Sequence, residues 1–133
     1  MYNDINNSVY KYNLSVLKQM ANDLANNITP PYTILLQGNL GVGKTAFSQF
    51  FLQSILINKN QVITSPTFNI INVYDTIKGT VWHVDLYRLE NKEEIFNLGL
   101  LEFINSGIAL IEWPEMIYDY VINSNIPYKI INL

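Results

Sequence analysis

The chain has 133 residues, 49% of them hydrophobic, with a formal net charge of −3 and no cysteine. This length suffices for one globular domain with an adequate core, so we expect residues 1–133 to form a single domain. The acidic balance argues against broad electrostatic binding to nucleic acid, and the lack of cysteine excludes disulfides and thiolate metal sites.

The sequence carries no sign of membrane insertion or export. Its N-terminus lacks a charged segment followed by an apolar segment, and no apolar run is long enough to span a bilayer. We therefore expect a cytoplasmic protein with no membrane partner.

The first predicted elements are a helix and a buried strand. Apolar residues recur at helical spacing over 14–28, and Pro30-Pro31 then prevents the helix from continuing. The apolar run over 33–37 is typical of a buried strand.

Residues 38–45 read Gly-Asn-Leu-Gly-Val-Gly-Lys-Thr and fit G-x-x-x-x-G-K-[ST], the phosphate-binding P-loop. Its glycines let successive N–H groups point at a phosphate, and the following helix adds its positive end. Lys44 would reach the β- and γ-phosphates, and the Thr45 hydroxyl would ligate Mg²⁺. The predicted nucleotide contacts of this region are Asn39, Leu40, Gly41, Val42, Gly43, Lys44, Thr45 and Ala46.

The sequence pattern in the middle of the chain indicates a helix followed by an antiparallel hairpin. The helix covers 46–56, and Pro66 holds the segment 64–67 out of helix. Strands are predicted over 68–74 and 80–84, with a turn at Lys78-Gly79. Asp75 is interpreted as a turn residue.

The last third predicts two short helices and two strands. One helix covers 92–98, capped by Asn91 and ended by Gly99, and a second covers 100–105. Strands follow over 108–111 and 126–133. The predicted fold class is α/β, a P-loop NTPase three-layer sandwich with a mostly parallel sheet and an antiparallel hairpin.

Two carboxylates follow strands that could end beside the P-loop. Ligands of open α/β sheets lie at the carboxyl ends of the strands, and a P-loop needs an acid there for Mg²⁺. Glu112, after the buried strand, is favoured as the metal-side acid. It would act directly, through a coordinated water, or by orienting the attacking water. Asp85 would be the second acid, and the catalytic set is Asp85, Glu112 and Lys44. The alternative is that each carboxylate simply ends its strand and pairs with a neighbour.

Other residues carry weaker signals. A hydroxyl in Ser65-Pro66-Thr67 could contact Mg²⁺ or sense the γ-phosphate, although the pattern alone favours a plain proline turn. His83, the single histidine, is interpreted as a hydrogen-bonded core residue rather than a ligand. Trp113 could pack on the base, line a partner surface, or belong to the core.

Arg88 is the single arginine of the chain, whereas phosphoryl-transfer sites usually place several guanidinium groups around the phosphate. This favours an ATPase whose site is completed by a partner. A small-molecule kinase would need an acceptor site and an arginine-rich lid, which the sequence does not show. A scaffold gated by nucleotide, with incidental hydrolysis, stays open.

Taken together, the segments resemble the TsaE family, the bacterial ATPases of tRNA threonylcarbamoyladenosine biosynthesis. The resemblance rests on the P-loop, Ser65-Pro66-Thr67-Phe68, His83-Val84-Asp85-Leu86-Tyr87-Arg88-Leu89 and Ile111-Glu112-Trp113-Pro114-Glu115, in this order. It covers roughly residues 33–120.

The resemblance implies a small ATP- and Mg²⁺-binding protein. It would work with the TsaD and TsaB proteins on adenosine 37 of tRNAs that read ANN codons, touch tRNA only through that complex, and use hydrolysis to reset it. It also implies that Lys44 and Thr45 contact the nucleotide and Mg²⁺, that Ser65 and Thr67 are switch-like, and that Trp113 lies near the nucleotide. Asp85 and Glu112 would be the essential acids. The predicted nucleotide contacts therefore include Thr67 and Trp113, and the predicted metal ligands are Thr45 and Glu112. The chain departs from the family pattern at Asn39, where Asp is usual, and at Ala46, where Ser or Thr is frequent.

Overall fold

The computed structural model describes residues 13–39 and 43–133, which form helices alternating with strands. The helices are α1 (Leu14–Asn27), α2 (Lys44–Ile55), α3 (Lys92–Asn97), α4 (Leu100–Ser106) and α5 (Tyr118–Ile122), with one 3₁₀ turn at Glu115–Ile117. The strands are β1 (Tyr32–Gln37), β2 (Ile71–Thr76), β3 (Gly79–Asp85), β4 (Ile108–Glu112) and β5 (Tyr128–Asn132).

The five described strands form one sheet in the order β2-β3-β4-β1-β5. Strands β3, β4, β1 and β5 run parallel, and β2 pairs antiparallel with β3. The predicted mostly parallel sheet with an antiparallel hairpin is therefore confirmed.

Helices cover both faces of the sheet, because successive side chains of a buried strand point to opposite sides. In β1, Ile34 and Leu36 pack in a core with α1 and α2, whereas Leu35 packs in a second core with α3, α4 and α5. This arrangement confirms the predicted three-layer architecture.

Asparagine side chains start two of the helices. The Asn13 side chain accepts from the Val16 N–H at 3.2 Å, and the Asn91 side chain accepts from the Glu94 N–H at 3.0 Å. Each bond satisfies a helix N–H that has no partner within the helix. The Asn91 cap of α3 is as predicted.

The hairpin differs from its prediction. Strand β2 begins at Ile71 rather than 68, because the Ile70 N–H bonds back to the Pro66 carbonyl at 2.6 Å and Ile70 has a φ of 68°. The prediction that Asp75 is a turn residue is wrong, since Asp75 lies in β2 opposite Thr80.

The hairpin turn lies one residue earlier than the predicted Lys78-Gly79, because β3 already begins at Gly79. The Thr76 hydroxyl accepts from the Lys78 N–H at 3.0 Å and donates to the Gly79 carbonyl at 2.6 Å. These two bonds place the turn at residues 77 and 78.

The end of the chain also differs from its prediction. The 3₁₀ turn and α5 were not predicted, and β5 is shorter than the predicted 126–133. Among the helices of the described ranges, none combines the length and apolar character needed to cross a membrane.

Gly107, between α4 and β4, is a packing constraint that can be tested. A Cβ there would lie 2.5 Å from the Thr80 carbonyl oxygen and 2.6 Å from the Trp82 ring. The backbone is extended, so the cost is steric, and we expect Gly107→Ala to lower the free energy of unfolding by about 1–3 kcal/mol. Urea unfolding measures this change.

The exposed neighbour Ser106 provides the control, and Ser106→Ala should stay within about 0.5 kcal/mol of the native chain. Equal stability of the two variants would contradict the close approach of β3 to Gly107.

Candidate functional site

Strands β1, β3 and β4 run parallel and end at one edge of the sheet, where the last residues of β3 and β4 line a cleft. Asp85 at the end of β3 pairs in register with Glu112 at the end of β4, and Glu112 also pairs with Leu36 of β1. The cleft has a volume of about 200 Å³. It is lined by Gly43, Lys44, Thr45, Ala46, Thr67, Asp85, Glu112 and Trp113.

Lys44, at the start of α2, is held against the backbone that leads into the P-loop. Its Nζ donates to the carbonyls of Gly38 at 2.6 Å and Asn39 at 2.8 Å, and lies 4.0 Å from the centre of the Trp113 ring. Burial lowers the pKa of Lys44, and nearby carboxylates, Glu112 first, oppose that shift. An anion in the cleft would compensate the buried charge better than carbonyl dipoles do.

Glu112 divides its two oxygens between the cleft and the core. Its Oε1 accepts from the Thr45 hydroxyl at 3.4 Å, and its Oε2 lies 2.6 Å from Nε2 of His83. Glu112 is 2% exposed and His83 is fully buried. Both carboxylate oxygens therefore have a partner, and the partner of Oε1 is Thr45 in the first turn of α2.

Asp85 lies beside Glu112 with two hydrogen bonds. Its Oδ1 accepts from the Tyr87 N–H at 2.9 Å, and its Oδ2 accepts from the Thr67 hydroxyl at 3.5 Å. Burial raises the pKa of Asp85 above its ordinary value, and the Glu112 charge adds to that rise. The Tyr87 bond stabilises the carboxylate and only partly offsets the rise.

The segment carrying Ser65 and Thr67 is joined to the strand end through Asp85 and Arg88. The hydroxyls of Ser65 and Thr67 share a hydrogen bond at 2.7 Å, and Arg88 donates to the Thr67 carbonyl at 3.4 Å. The guanidinium also lies 5.6 Å from the centre of the Phe68 ring, which is 85% exposed. These contacts link a possible switch segment to an acid of the cleft.

Trp113 follows β4 directly and forms one wall of the cleft. Its φ is 58°, which costs a non-glycine residue about 1 kcal/mol, and its N–H donates to the Leu36 carbonyl at 3.3 Å. Its ring packs at 4.7 Å on the ring of Tyr87. The half-buried indole therefore lies beside Lys44 while also packing against the second core.

The structure brings together most of the residues proposed from the sequence. The carbonyl of Asn39 accepts a hydrogen bond from Lys44, and Asn39 is exposed. The proposed contacts Leu40, Gly41 and Val42 lie outside the described residues.

His83 was interpreted from the sequence as a hydrogen-bonded core residue, and the structure places it there. Sequence reasoning missed that its partner is Glu112. The sequence offers one signal for this contact. His83 lies two residues before Asp85, and alternate residues of a strand share a face, so His83 points to the same side of the sheet as the acids.

The oxygen donors of the cleft fit Mg²⁺ better than a transition metal. Within residues 13–39 and 43–133, no three His, Cys, Asp or Glu side chains form a metal cluster. The Thr45 hydroxyl and a Glu112 oxygen are hard donors 3.4 Å apart. Mg²⁺ commonly uses one or two such protein oxygens and takes its other ligands from substrate phosphates and water.

Comparison with known proteins gives a family match over nearly the whole chain. The family model "Threonylcarbamoyl adenosine biosynthesis protein TsaE" matches residues 12–132. The chain is 42% identical over 100 residues to the tRNA threonylcarbamoyladenosine biosynthesis protein TsaE of Rickettsia prowazekii. It is 43% identical over 100 residues to the protein of the same name from Rickettsia felis.

These alignments cover 75% of this chain, and they span 69% of the Rickettsia prowazekii protein and 58% of the Rickettsia felis protein. Among solved structures, that of Bacillus subtilis YdiB is similar with a TM-score of 0.60 and 25% identity. That similarity covers 89% of this chain and 70% of YdiB. The predicted P-loop NTPase fold is confirmed by these similarities.

The raised pKa of Asp85 predicts how stability depends on pH. A group with a raised folded-state pKa stabilises the fold fully below its unfolded pKa, and this contribution is lost as the pH rises through the folded value. Ionised Asp85 therefore costs stability at neutral pH. We expect Asp85→Asn to increase the free energy of unfolding there, and the gain to vanish in acid.

Urea unfolding from about pH 4 to about pH 8 measures this trend. The exposed Asp75 provides a control, since Asp75→Asn should change stability by less than about 0.5 kcal/mol throughout. A gain for Asp85→Asn that is largest in acid would contradict the burial of a charged carboxylate.

Proposed function

The chain belongs to the TsaE family, and from this membership we propose that it is an ATPase required for tRNA threonylcarbamoyladenosine formation. It binds and hydrolyses ATP with Mg²⁺ to drive the cycle of the TsaD and TsaB proteins on adenosine 37 of tRNAs reading ANN codons. We further propose that residues 1–133 act as one cytoplasmic ATPase domain that meets tRNA only through that complex.

The observation that supports this proposal is the convergence of four side chains on one cleft. Lys44 and Thr45 come from the N-terminus of α2, Asp85 from the end of β3, and Glu112 from the end of β4. A phosphate-binding lysine, a metal-binding hydroxyl and two acids are the parts that nucleotide hydrolysis at a P-loop requires.

Lys44 and α2 bind the phosphates in this proposal. Nucleotide phosphates draw the Lys44 ammonium away from the carbonyls of Gly38 and Asn39, which hold it in this structure. Gly43 is the N-cap of α2 with a φ of 103°, and the first residues of the helix, Lys44 to Ala46, line the cleft, where the helix N-terminus favours an anion. Thr45 and Glu112 would hold Mg²⁺, which when bound neutralises charge on the phosphate oxygens.

Asp85 orients the attacking water in this scheme. Its raised pKa makes the carboxylate a better proton acceptor than an exposed aspartate. The bond from the Tyr87 N–H fixes one oxygen, and the other faces Thr67. Nucleotide binding that moves Thr67 would therefore reach Asp85 directly.

Hydrolysis should be slow without partners. Arg88, the only arginine of the chain, contacts the Thr67 carbonyl and the Phe68 ring. It does not line the cleft, among the residues that the structure describes. A partner would then supply the missing charge or the ordering of the site, and an added arginine is worth about 10³–10⁵ in rate at related sites.

The second candidate function is a scaffold gated by nucleotide. Hydrogen bonds that link the Ser65 hydroxyl, the Thr67 hydroxyl and the Asp85 carboxylate favour it. In that case ATP binding orders residues 65–67 for a partner, and hydrolysis is incidental.

Turnover measurements separate the two functions. With TsaD and TsaB present, we expect ATP hydrolysis well above that of the chain alone, reduced to background by Lys44→Ala. Glu112→Gln should lower turnover by about 100-fold or more while ATP affinity changes by less than about tenfold, because the Mg²⁺ that Glu112 would hold chiefly neutralises charge that develops in the transition state. Phosphate release and calorimetry measure the two quantities.

Glu102 is an exposed glutamate on α4 that does not line the cleft, and Glu102→Gln should behave like the native chain. Native turnover no higher than that of Lys44→Ala, with nucleotide binding retained, would favour the scaffold. Loss of ATP binding in Glu112→Gln would assign that residue to binding instead of chemistry.

The acidic composition predicts that tRNA does not bind to this chain by itself. With a net charge of −3, we expect no gel retardation of tRNA at physiological salt. A tight complex that weakens steeply with added salt would contradict a role through TsaD and TsaB.

A further inference from the structure

We propose that His83 is a positioning residue for Glu112, holding one carboxylate oxygen in the core so that the other faces Thr45 and the cleft. The inference rests on the proposed function, because it concerns how the acid of that same site is oriented. It assigns a use to a buried polar group that nucleotide binding itself does not require.

The sheet places His83 directly behind the two acids. His83 pairs across the sheet with Leu110, and Asp85 pairs with Glu112 two residues further along both strands. The residues at these four positions therefore share one face of the sheet, which packs against α2. His83 approaches Glu112 diagonally, from the side away from the strand ends.

The proposed role of Glu112 decides which atom donates. An acid that holds Mg²⁺ is ionised and only accepts, so in this proposal His83 Nε2 carries the hydrogen of its 2.6 Å bond to Glu112 Oε2. Such bonds to an ionised group are short and strong. With Oε2 engaged by a fully buried ring, Oε1 is the oxygen left for Thr45.

The remaining nitrogen of the ring argues against a role in packing alone. Among the described residues, His83 Nδ1 has no hydrogen-bond partner. A buried polar atom without a partner destabilises a fold, and an apolar side chain would fill this position without that cost. The bond to Glu112 is the compensating interaction that the structure shows.

The alternative is that His83 only fills the core beneath α2. In that case its replacement would lower stability as any core substitution does, with no specific effect through Glu112. Val81 offers the matched control, since it is buried on the same face of β3 two residues earlier.

The experiment compares His83→Leu, His83→Gln and Val81→Ala in the full chain. With TsaD and TsaB present, we expect His83→Leu to lower kcat for ATP by about 10–100-fold, with a smaller change in KM. It should also reduce the gain in ATP affinity that Mg²⁺ provides in calorimetry. His83→Gln, whose amide can still donate to Glu112, should come within a few fold of the native chain, and Val81→Ala should lose stability without losing kcat.

A double-mutant cycle tests whether the effect passes through Glu112. We expect His83→Leu to add nothing further to Glu112→Gln, in kcat or in the Mg²⁺-dependent gain of affinity, because both changes remove the same interaction. Losses that multiply would overturn the inference. A loss of kcat in Val81→Ala equal to that in His83→Leu, or no rescue by His83→Gln, would overturn it as well.

Failure of the proposed function gives a different result. Absence of ATP turnover in the native chain with both partners would defeat the ATPase proposal, whereas the calorimetric cycle would still decide the role of His83. If His83→Leu does not fold, His83→Asn replaces it, because its shorter amide keeps a polar group but does not reach Glu112. Equal behaviour of His83→Asn and His83→Gln would then overturn the inference.

Discussion

The parallel pairing of β4 between β1 and β3 is the constraint on which the site depends. This pairing places Glu112 in register with Asp85 on one side and with Leu36 on the other. The chain leaving β1 then returns as α2, whose first residues carry Lys44 and Thr45. A shift of β4 by one residue would turn Glu112 to the opposite face of the sheet and leave α2 without its acid.

The site is built from groups that are costly to bury. Lys44 and Asp85 are each about 95% buried. Burial lowers the pKa of Lys44 and raises the pKa of Asp85, and both shifts favour the neutral form of the group. The two cores on either side of the sheet supply the apolar contacts that offset this cost. Proteins commonly lose some stability at a ligand-binding site, because charges buried there are compensated only when the ligand binds.

Particular residues show how far sequence reasoning reaches. The P-loop and the runs ending at Asp85 and Glu112 carry local signals, because phosphate binding needs glycines at fixed spacing and buried strands need apolar runs. The start of β2 was missed because the bond from Ile70 to Pro66 bends the chain there. Asp75 was interpreted as a turn residue because it precedes the predicted hairpin turn, whereas β2 continues to Thr76, whose hydroxyl closes the turn.

The fold class, the family and the residue types of the site follow from the amino-acid sequence, since these depend on local spacing along the chain. Which atoms meet in the site depends on how the elements pack. The contact of His83 with Glu112 joins residues 29 apart, and that of Thr45 with Glu112 joins residues 67 apart. Both contacts arise because β3 pairs beside β4 within the sheet and α2 packs on the face that carries His83 and Glu112, and no local pattern records that arrangement.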